Sequence, residues 1–370
     1  MNILFLINHA GKGGSEKYVY VLSSYLNNKN NKIFFIYNED GNLVEKMKSL
    51  GAVTDQVEMK NPFDKKAVSY IKDFCELKQI DIIHTQFQRE TYIALQVKKQ
   101  LPNLKVINTS HMITEDKFYK KILNKIMVKN IDGVISVCTK NKEVLIENGY
   151  PEDKIKVIFN GVPYRPYAHN IKNSTLRSEF KIGTDEFVFV TAARLSPEKG
   201  IDFLLESAKV LTTLTNKKFK LLIVGDGDEE EKLKEIVNND NALKECVIFT
   251  GFRTDIENIL MGSDCFVNSS ETEALSFAIL EALAKALPVI ATKVGGTSDI
   301  INEENRNGVL VRYGGKVAMA KAMERFMTDE KIYLECSQNA IDSVKNHFSI
   351  DKICEETYNF YKEVKGENVL

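Results

Sequence analysis

Two cationic residues follow a short hydrophobic run in the second half of the chain. Arg194 and Lys199 lie within residues 191–200 (TAARLSPEKG), directly after the β-rich run 186–191 (EFVFVT). Open α/β sheets bind ligands at the carboxyl ends of their parallel strands. An arginine fork and a lysine point charge at that place suit a pyrophosphate. The alternative is a surface ion pair with Glu198.

Two carboxylates, Glu273 and Glu281, follow a later hydrophobic run, and a helix is predicted to begin between them. The backbone N–H groups of Leu275, Ser276 and Phe277 would then point at a ligand and cradle phosphate oxygens. Glu281 lies within an otherwise apolar helix, where a carboxylate requires a hydroxyl or cation partner. For Glu273 alone, interaction with the helix dipole is the alternative role.

Glycines also follow the first hydrophobic run, in residues 8–16 (NHAGKGGSE). Gly13 and Gly14 precede a predicted helix, so backbone N–H groups could approach a phosphate there. A dinucleotide fingerprint would require glycine where Glu16 stands, which disfavours NAD binding. A purely structural turn is the alternative reading of this loop.

The elements that must position these residues alternate in two series. Short β-rich runs separated by helical patterns predict parallel sheets covered on both faces. The first series has runs at 2–8, 32–37, 81–84, 105–109, 132–137 and 155–159, and the second at 186–191, 219–224, 246–250, 264–268, 288–292 and 308–312. A stretch with glycine and proline but no periodicity, residues 160–167, lies between them and is predicted to be the hinge.

Composition sets the class of protein. A chain of 370 residues exceeds one ordinary core and favours two domains, while 44% hydrophobic and 27% charged residues exclude disordered and fibrous classes. Its six cysteines include no Cys-x-x-Cys pair, which is typical of reduced thiols. Without a signal peptide or a membrane-spanning run, the expected location is cytoplasmic, with peripheral contact to the inner face of the membrane as a further possibility.

Taken together, these motifs resemble those of retaining glycosyltransferase family 4, and the likeness covers nearly the whole chain. The motifs that carry it are Arg194 with Lys199, Glu273 with Glu281, the stretches 287–292 (LPVIAT) and 294–296 (VGG), the loop 13–16 (GGSE), the hinge 160–162 (NGV) and the turn 225–227 (GDG). The resemblance implies an α/β protein of GT-B fold, with two doubly wound Rossmann-like domains facing a central cleft. Their expected bounds are 1–165 and 166–349, with a C-terminal helix at about 350–370 joining the first.

The resemblance also implies roles for the donor-side residues. Arg194 and Lys199 would neutralise the donor diphosphate and stabilise the leaving nucleotide. Glu281 would accept hydrogen bonds from the ribose hydroxyls, and Glu273 would bind the donor sugar near its reacting carbon. Further expected substrate-binding residues are Gly13, Gly14, Asn160, Gly225, Asp226, Gly251, Phe252, Leu275, Ser276 and Phe277, with Gly251 and Phe252 at the nucleobase.

In the first half, His111 follows a predicted strand and resembles the family's active-site histidine near the transferred sugar. A core or surface histidine is the alternative. His9 and His84 also stand at strand ends and are expected to line the pocket at most. Near Arg194 and Glu281, the chain departs from the family pattern at Ala192 and Ala193, at Ala286 and at Asp299, and none of these changes removes a charged group.

The function that the resemblance implies is retaining, metal-independent transfer of a sugar from a nucleotide-diphosphate sugar, expected to be a UDP-sugar. The acceptor would be a glycan, glycolipid or protein, in surface polysaccharide biosynthesis, with no cofactor and no nucleic-acid partner. Asp226-Gly227-Asp228 has the form of an Asp-x-Asp metal motif but matches the family's glycine-rich turn better. The alternatives are a sugar-nucleotide epimerase of the same fold and a non-catalytic nucleotide-sugar-binding subunit.

Residues 117–129 (KFYKKILNKIMVK) form a basic amphipathic pattern. Lys117, Lys121 and Lys125 share one stripe, and apolar residues at 118, 122 and 126 share another. Such a helix suits an anionic membrane surface. The alternative is an ordinary helix packed on its sheet, with a solvated lysine face.

Overall fold

The computed structural model describes residues 1–11, 13–164 and 174–367. The chain divides into two compact units, one formed by Met1–Asn160 with Ile350–Leu370 and the other by Gly161–Ser349. The boundary expected between residues 165 and 166 lies outside the described residues. Each unit has its own hydrophobic core.

The first unit is built on a parallel sheet of seven described strands in the order β3-β2-β1-β4-β5-β6-β7. The strands are β1 (Asn2–His9), β2 (Lys32–Glu39), β3 (Val53–Gln56), β4 (Ile82–Thr85), β5 (Lys105–Ser110), β6 (Gly133–Ser136) and β7 (Ile155–Val157). The helices between them are α1 (Gly14–Asn28), α2 (Asn42–Ser49), α3 (Lys65–Lys78), α4 (Gln88–Gln100), α5 (Phe118–Met127) and α6 (Thr139–Glu147). The central strand β1 carries a continuous apolar run because helices cover both faces of the sheet, and Ile3 to Ile7 of this strand are completely buried.

The second unit has a parallel sheet of six described strands in the order β10-β9-β8-β11-β12-β13. The strands are β8 (Phe187–Ala192), β9 (Phe219–Val224), β10 (Val247–Gly251), β11 (Cys265–Asn268), β12 (Val289–Thr292) and β13 (Gly308–Val311). The helices are α7 (Leu176–Glu179), α8 (Ile201–Leu214), α9 (Glu230–Asn238), α10 (Asn241–Cys246), α11 (Ile256–Gly262), α12 (Phe277–Leu283), α13 (Thr297–Ile300), α14 (Lys316–Thr328) and α15 (Glu330–Ser343).

The last helix, α16 (Ile350–Lys365), belongs to the first unit, where it packs against α1. Its buried face carries Ile353, Cys354, Thr357, Phe360 and Tyr361. No helix in the described ranges is long and apolar enough to span a bilayer.

Strand order creates the same feature in both units. The chain leaves β1 toward β2 and β3 and then returns to β4 on the other side of β1, and it leaves β8 toward β9 and β10 and returns to β11 in the same way. The loops after the two central strands of each sheet therefore diverge in opposite directions. Each sheet thus has a topological switch point, the place where doubly wound sheets bind ligands.

The predicted doubly wound architecture is confirmed, and the predicted strands begin and end close to the observed ones. The sequence pattern missed β3, whose residues Val53–Gln56 include polar positions and lie at the sheet edge. An edge strand with half-exposed residues lacks the continuous apolar run that marks a buried strand.

Candidate functional site

At the switch point of the second unit, the loops after β8 and β11 are joined by an ion pair. Lys199 ends a short turn, Pro197–Lys199, and its Nζ donates to Glu273 Oε2 at 2.9 Å. Ser270 Oγ donates to the same carboxylate oxygen at 3.3 Å. The side chains of Lys199 and Glu273 are 24% and 14% exposed, so the pair is shielded but still reachable by a ligand.

Backbone contacts hold the same two loops together. Glu271 N donates to Glu198 O at 2.8 Å, and Ser269 Oγ donates to Lys199 O at 2.9 Å. A Cβ placed on Gly200 would lie 2.4 Å from Ser269 O. The loops therefore approach closely enough that glycine is required directly after Lys199.

Arg194 is exposed on the loop after β8 that also carries Lys199, and the turn Gly225-Asp226-Gly227 fixes the backbone next to it. Leu195 N donates to Asp226 O at 2.7 Å, and Ala193 N donates to Val224 O at 3.0 Å. Gly225 has φ +131, and a Cβ there would lie 1.9 Å from Ala193 O. Through their backbone, Gly225 and Asp226 hold the segment that carries Arg194, and their expected role in binding substrate stays a prediction.

The helix after β11 begins as the sequence predicts. Ser276 is the N-cap of α12 and its Oγ accepts from Ile279 N at 3.4 Å. Leu275 and Ser276 are buried, while Phe277 and Glu281 are partly exposed. Gly296 N donates to the carbonyl oxygens of Glu273 and Ala274 and so supports the Glu273 loop.

The remaining residues expected on the donor side differ in their placement. Gly251 ends β10, and its carbonyl accepts from Gly225 N at 2.9 Å, which connects it to the Arg194 segment. Phe252 follows with 58% of its surface exposed, and its expected contact with the nucleobase stays a prediction. Asn160 is buried at the end of the first segment of the other unit. No group of three or more His, Cys, Asp or Glu residues suited to a metal ion occurs in the described ranges.

At the switch point of the first unit lies a pocket of about 550 Å³. The loops after β1, β4 and β5 and the starts of the following helices line it, together with residues of α6 and of the segment after that helix. Its walls include Asn8, His9, Glu16, Gln86, Phe87, Gln88, Arg89, Glu90, Asn108, Ser110, His111, Met112, Asp116, Lys120, Asn141, Asn148 and Tyr150. The glycine loop borders it through Glu16, since a Cβ on Gly13, the N-cap of α1, would lie 2.6 Å from Glu16 Oε2; Gly14 is the first residue of that helix.

His111 lies in the wall of this pocket, as the resemblance implies for a residue near substrate. Its Nε2 lies 2.8 Å from Gln86 Oε1, and its ring packs edge-on against Tyr18 with centroids 5.1 Å apart. Burial lowers the pKa of His111. The imidazole is therefore neutral near neutral pH, and with its Nε2–H donating to Gln86 it presents Nδ1 as an acceptor.

Behind His111 runs a buried chain of hydrogen bonds. His84 Nε2 bonds with Thr109 Oγ1 at 2.7 Å, and Tyr18 OH bonds with the same hydroxyl at 3.1 Å. Tyr361 OH of α16 bonds with His84 Nδ1 at 2.5 Å. Burial lowers the pKa of His84 to about 3, with a smaller effect from His111. His84 is completely buried and holds α16 against the sheet through Tyr361, whereas His9 lines the pocket.

Sequence reasoning missed two residues in the floor of the pocket. Gln86 and Glu90 are 1% and 0% exposed, yet Gln86 Nε2 and both carboxylate oxygens of Glu90 have no hydrogen-bond partner within the described part of the chain. Burial raises the pKa of Glu90 to about 7, outweighing the lowering effects of the Glu90 and Asn8 backbone amides and of Arg89. In the sequence, Glu90 looks like an ordinary acidic residue in the first turn of a helix.

Comparisons with known proteins match both units of the chain to one family. Residues 12–165 match the family model described as Glycosyltransferase Family 4, and residues 172–343 match the one described as Glycosyl transferases group 1. Among curated relatives, the putative glycosyltransferase YtcC of Bacillus subtilis (strain 168) is 30% identical over 302 residues, 77% of this chain and 73% of that protein. An Escherichia coli UDP-Gal:alpha-D-GlcNAc-diphosphoundecaprenol alpha-1,3-galactosyltransferase is 28% identical over 312 residues, 80% of this chain and 79% of that protein.

Solved structures show the same fold. A glycosyltransferase from Rickettsia africae ESF-5 superposes with a TM-score of 0.86 at 24% identity, covering 98% of both chains. Anabaena HepE in complex with UDP superposes with a TM-score of 0.85 at 20% identity, covering 98% of this chain and 100% of that one. The two family matches, the YtcC relationship and the two doubly wound sheets lead to one conclusion: the chain belongs to glycosyltransferase family 4 and is a glycosyltransferase of GT-B fold.

Proposed function

We propose that this glycosyltransferase transfers a sugar, with retention of anomeric configuration, from a UDP-sugar to a glycan or glycolipid acceptor in surface polysaccharide biosynthesis. The part of this proposal that concerns the donor rests on the geometry at the switch point of the second unit. There Arg194, Lys199 and Glu273 stand on loops that are held together by the 2.9 Å ion pair and by backbone contacts.

The chemistry of the transfer explains why cations are needed at this place. When the bond between the sugar and the diphosphate breaks, negative charge develops on the leaving phosphate oxygen and positive charge on the sugar carbon. Arg194 and Lys199 stabilise that leaving group, and fixed charges contribute most when they need no reorganisation. Glu273 both orients Lys199 and presents oxygens to the sugar hydroxyls.

Retention requires the acceptor to attack from the face that the diphosphate leaves. In the proposed step, the acceptor oxygen forms a bond to the anomeric carbon of the sugar. At the same time the bond between that carbon and the oxygen of the donor diphosphate breaks. The acceptor proton passes to the departing phosphate oxygen. This step uses no protein nucleophile, and because two side-chain cations face the phosphates we propose that it needs no divalent ion.

The relatives support the choice of donor and acceptor. The Escherichia coli relative is named for transfer from UDP-galactose to a diphosphoundecaprenol-linked sugar, and HepE has been solved with UDP and with UDP-glucose. A capsular polysaccharide biosynthesis glycosyltransferase, CapM of Staphylococcus aureus, is 27% identical over 266 residues, 68% of this chain and 67% of that protein. These names favour a UDP-sugar donor and an acceptor on the way to a surface glycan.

A lipid-linked acceptor would place the enzyme at a membrane, and α5 supports that part of the proposal. Its apolar stripe does not face the sheet, because Phe118, Ile122 and Ile126 are 79%, 48% and 68% exposed. Lys117 and Lys125 are exposed beside them. Exposed apolar side chains among lysines match an anionic lipid surface.

Vesicle sedimentation tests the membrane contact. The chain should sediment with phosphatidylglycerol vesicles but not with phosphatidylcholine vesicles, and the combined Phe118→Ser, Ile122→Ser and Ile126→Ser variant should remain in the supernatant. Leu77→Ser, at a position that is 75% exposed on α3, is the matched control and should sediment like the wild type. Equal sedimentation of the triple variant would remove α5 from the proposal.

Ligand-dependent thermal unfolding tests the donor. UDP, GDP, ADP and CMP are compared with and without a chelator, because a ligand at about 100 times its dissociation constant stabilises the folded state by about 2.7 kcal/mol. We expect a chelator-independent shift with UDP, followed by transfer from a UDP-sugar to an alkyl glycoside with an α-linked product from an α-linked donor. A β-linked product would contradict retention, and interconversion of UDP-sugars without an acceptor would indicate the epimerase alternative. Nucleotide binding without any transfer would indicate a non-catalytic subunit.

A further inference from the structure

We propose that Gln86 and Glu90 form a hydroxyl-binding subsite that holds one neutral, uncharged sugar ring of the acceptor in the pocket of the first unit. The statement that this sugar ring belongs to the acceptor rests on the proposed function. The site itself rests on the geometry of the first unit alone.

The first observation is a set of buried polar atoms that lack partners. Gln86 Nε2 can donate two hydrogen bonds, and the Glu90 oxygens together can accept about four. None of these atoms is hydrogen-bonded within the described residues, although both side chains are almost completely buried. Buried polar groups are hydrogen-bonded in the great majority of cases, so an orphaned cluster needs an explanation.

The second observation is where the cluster lies. Both residues border the pocket at the switch point between β1 and β4, where a doubly wound sheet binds its ligand. Gln86 is already fixed by His111, which bonds to its Oε1 at 2.8 Å and leaves Nε2 for a ligand. Glu90 lies in the first turn of α4 and borders the same pocket.

The types of the orphaned atoms define the ligand. A donor and two acceptor oxygens in the walls of one pocket fit a ligand that both donates and accepts, and a pair of sugar hydroxyls does both. A carboxylate or phosphate on the ligand would place its charge against Glu90 and would be disfavoured.

The cations near the pocket do not change this assignment. Arg89 donates to Asn8 Oδ1 at 2.9 Å and to Met59 O at 3.1 Å, and Lys120 lies 3.5 Å from Asp116 Oδ1. Both cations therefore already have partners at the edge of the pocket. Recognition at its floor falls to neutral and acidic groups, which favours a neutral ring.

The proposal also predicts how a substitution of Glu90 changes the stability of the folded state. A carboxyl group buried without a partner destabilises the folded state, so a residue that serves only the fold would not be an unpaired glutamate. Glu90→Gln removes the charge and retains the shape. The variant should therefore unfold at the same temperature as the wild type or higher, while it loses affinity for the sugar ring.

Saturation-transfer NMR with methyl α-glycosides of glucose, galactose and N-acetylglucosamine tests the subsite without requiring turnover. We expect the wild type to bind at least one of these neutral glycosides. Glu90→Gln and Gln86→Leu should weaken that binding by about tenfold or more, since hydrogen bonds to charged or buried groups have this magnitude. The corresponding glycoside 6-phosphate should bind the wild type more weakly than the neutral glycoside.

Glu76→Gln is the matched control, because Glu76 is an exposed glutamate on α3. It should bind the glycosides like the wild type. Wild-type affinity in Glu90→Gln, a lowered melting temperature in that variant without loss of binding, or no binding of any methyl glycoside to the wild type would each overturn the subsite. The UDP-dependent thermal shift is measured on the same samples, so a failure of the donor proposal is seen separately.

Discussion

The switch points of the two units differ in how their polar groups are satisfied. In the second unit, Lys199 and Glu273 pair at 2.9 Å, and backbone hydrogen bonds fix the segment around Arg194. In the first unit, His84 and His111 are neutral, while Gln86 and Glu90 keep unpaired polar atoms beneath the pocket. At the site of the second unit, Lys199 and Glu273 are paired with one another, whereas the site of the first unit combines a paired charge, Lys120 with Asp116, with the unpaired polar atoms of Gln86 and Glu90.

Under the two proposals made above, this difference corresponds to two kinds of ligand, a diphosphate and a sugar ring. A diphosphate brings its own negative charge, so its site needs positive charge that is held in place before the ligand arrives. A sugar ring brings hydroxyls and no charge, so its site needs donors and acceptors that are not already used. The ion pair at Lys199 and the orphaned groups at Gln86 and Glu90 are the respective solutions.

The largest expected effect follows from removing the positive charges at the site of the second unit. Arg194→Ala and Lys199→Ala should each lower kcat by about 100-fold to 1,000-fold, because the loss of one preorganised electrostatic group has that magnitude. Transfer kinetics with a UDP-sugar measure the effect. Lys244→Ala, at an exposed lysine on α10, is the control and should keep wild-type kinetics. A variant at Arg194 or Lys199 with near-normal kcat would refute the role of that residue.

The next largest effect follows from disrupting the turn whose backbone holds the segment around Arg194. Gly225→Ala places a Cβ 1.9 Å from Ala193 O at φ +131, so both strain and a clash result. Urea unfolding should show a loss of about 3 kcal/mol or more, and UDP should stabilise the variant less than it does the wild type. Gly314→Ala has φ +79 with nothing within 4 Å, and it should lose only about 1–2 kcal/mol with UDP binding intact. Equal losses in the two variants would contradict the importance of close approach at Gly225.

A third expected effect is the pH dependence of the stability contributed by Glu90 in the first unit. The pKa of Glu90 is raised to about 7 in the folded state, so between its ordinary value and pH 7 the folded chain holds a proton that the unfolded chain releases. The Glu90 contribution to stability therefore falls as pH rises through this window. The stability of Glu90→Gln relative to the wild type should increase by on the order of 2 to 3 kcal/mol between about pH 5 and pH 8. A difference that stays constant with pH, measured by urea unfolding, would contradict a buried unpaired carboxyl.

The smallest effect has the opposite sign and comes from His84. Burial lowers the pKa of this histidine to about 3, so below its ordinary value the unfolded chain binds a proton that the folded chain does not. Stability should therefore fall by up to about 2 kcal/mol as pH decreases from about 6.5 to 5. The double variant Glu90→Gln with His111→Gln is the background to measure, because it removes both the opposing titration of Glu90 and the parallel titration of His111. Stability that stays flat or rises over this window would show that His84 becomes charged in the folded chain.

Much of the second unit's site could be predicted from the sequence. Arg194, Lys199 and Glu273 are charged residues placed directly after apolar runs, and parallel strands bring such residues to one edge of a sheet. Gly225 was predicted to bind substrate, which stays a prediction, and only its φ and the position of Ala193 O show that it also supports the segment that carries Arg194. The role of a glycine depends on what its missing Cβ would meet, and that is a tertiary property.

The first unit was harder to predict because its important groups carry no sequence signal. Glu90 stands where a solvent-exposed glutamate commonly stands, and only the packing of α4 against the sheet shows that it is buried without a partner. The apolar stripe of α5 was visible in the sequence, but an apolar stripe usually faces a core. The structure shows that Phe118, Ile122 and Ile126 are exposed.

The sequence by itself determined the family, the two doubly wound sheets and the charged loops of the second unit, because periodicity and residue type act locally along the chain. The tertiary structure alone decided which polar atoms find partners, since His84 meets Tyr361 across 277 positions and Lys199 meets Glu273 across 74. Hydrogen bonding between distant segments depends on distance and burial in three dimensions. Neither distance nor burial can be read from the order of the residues alone.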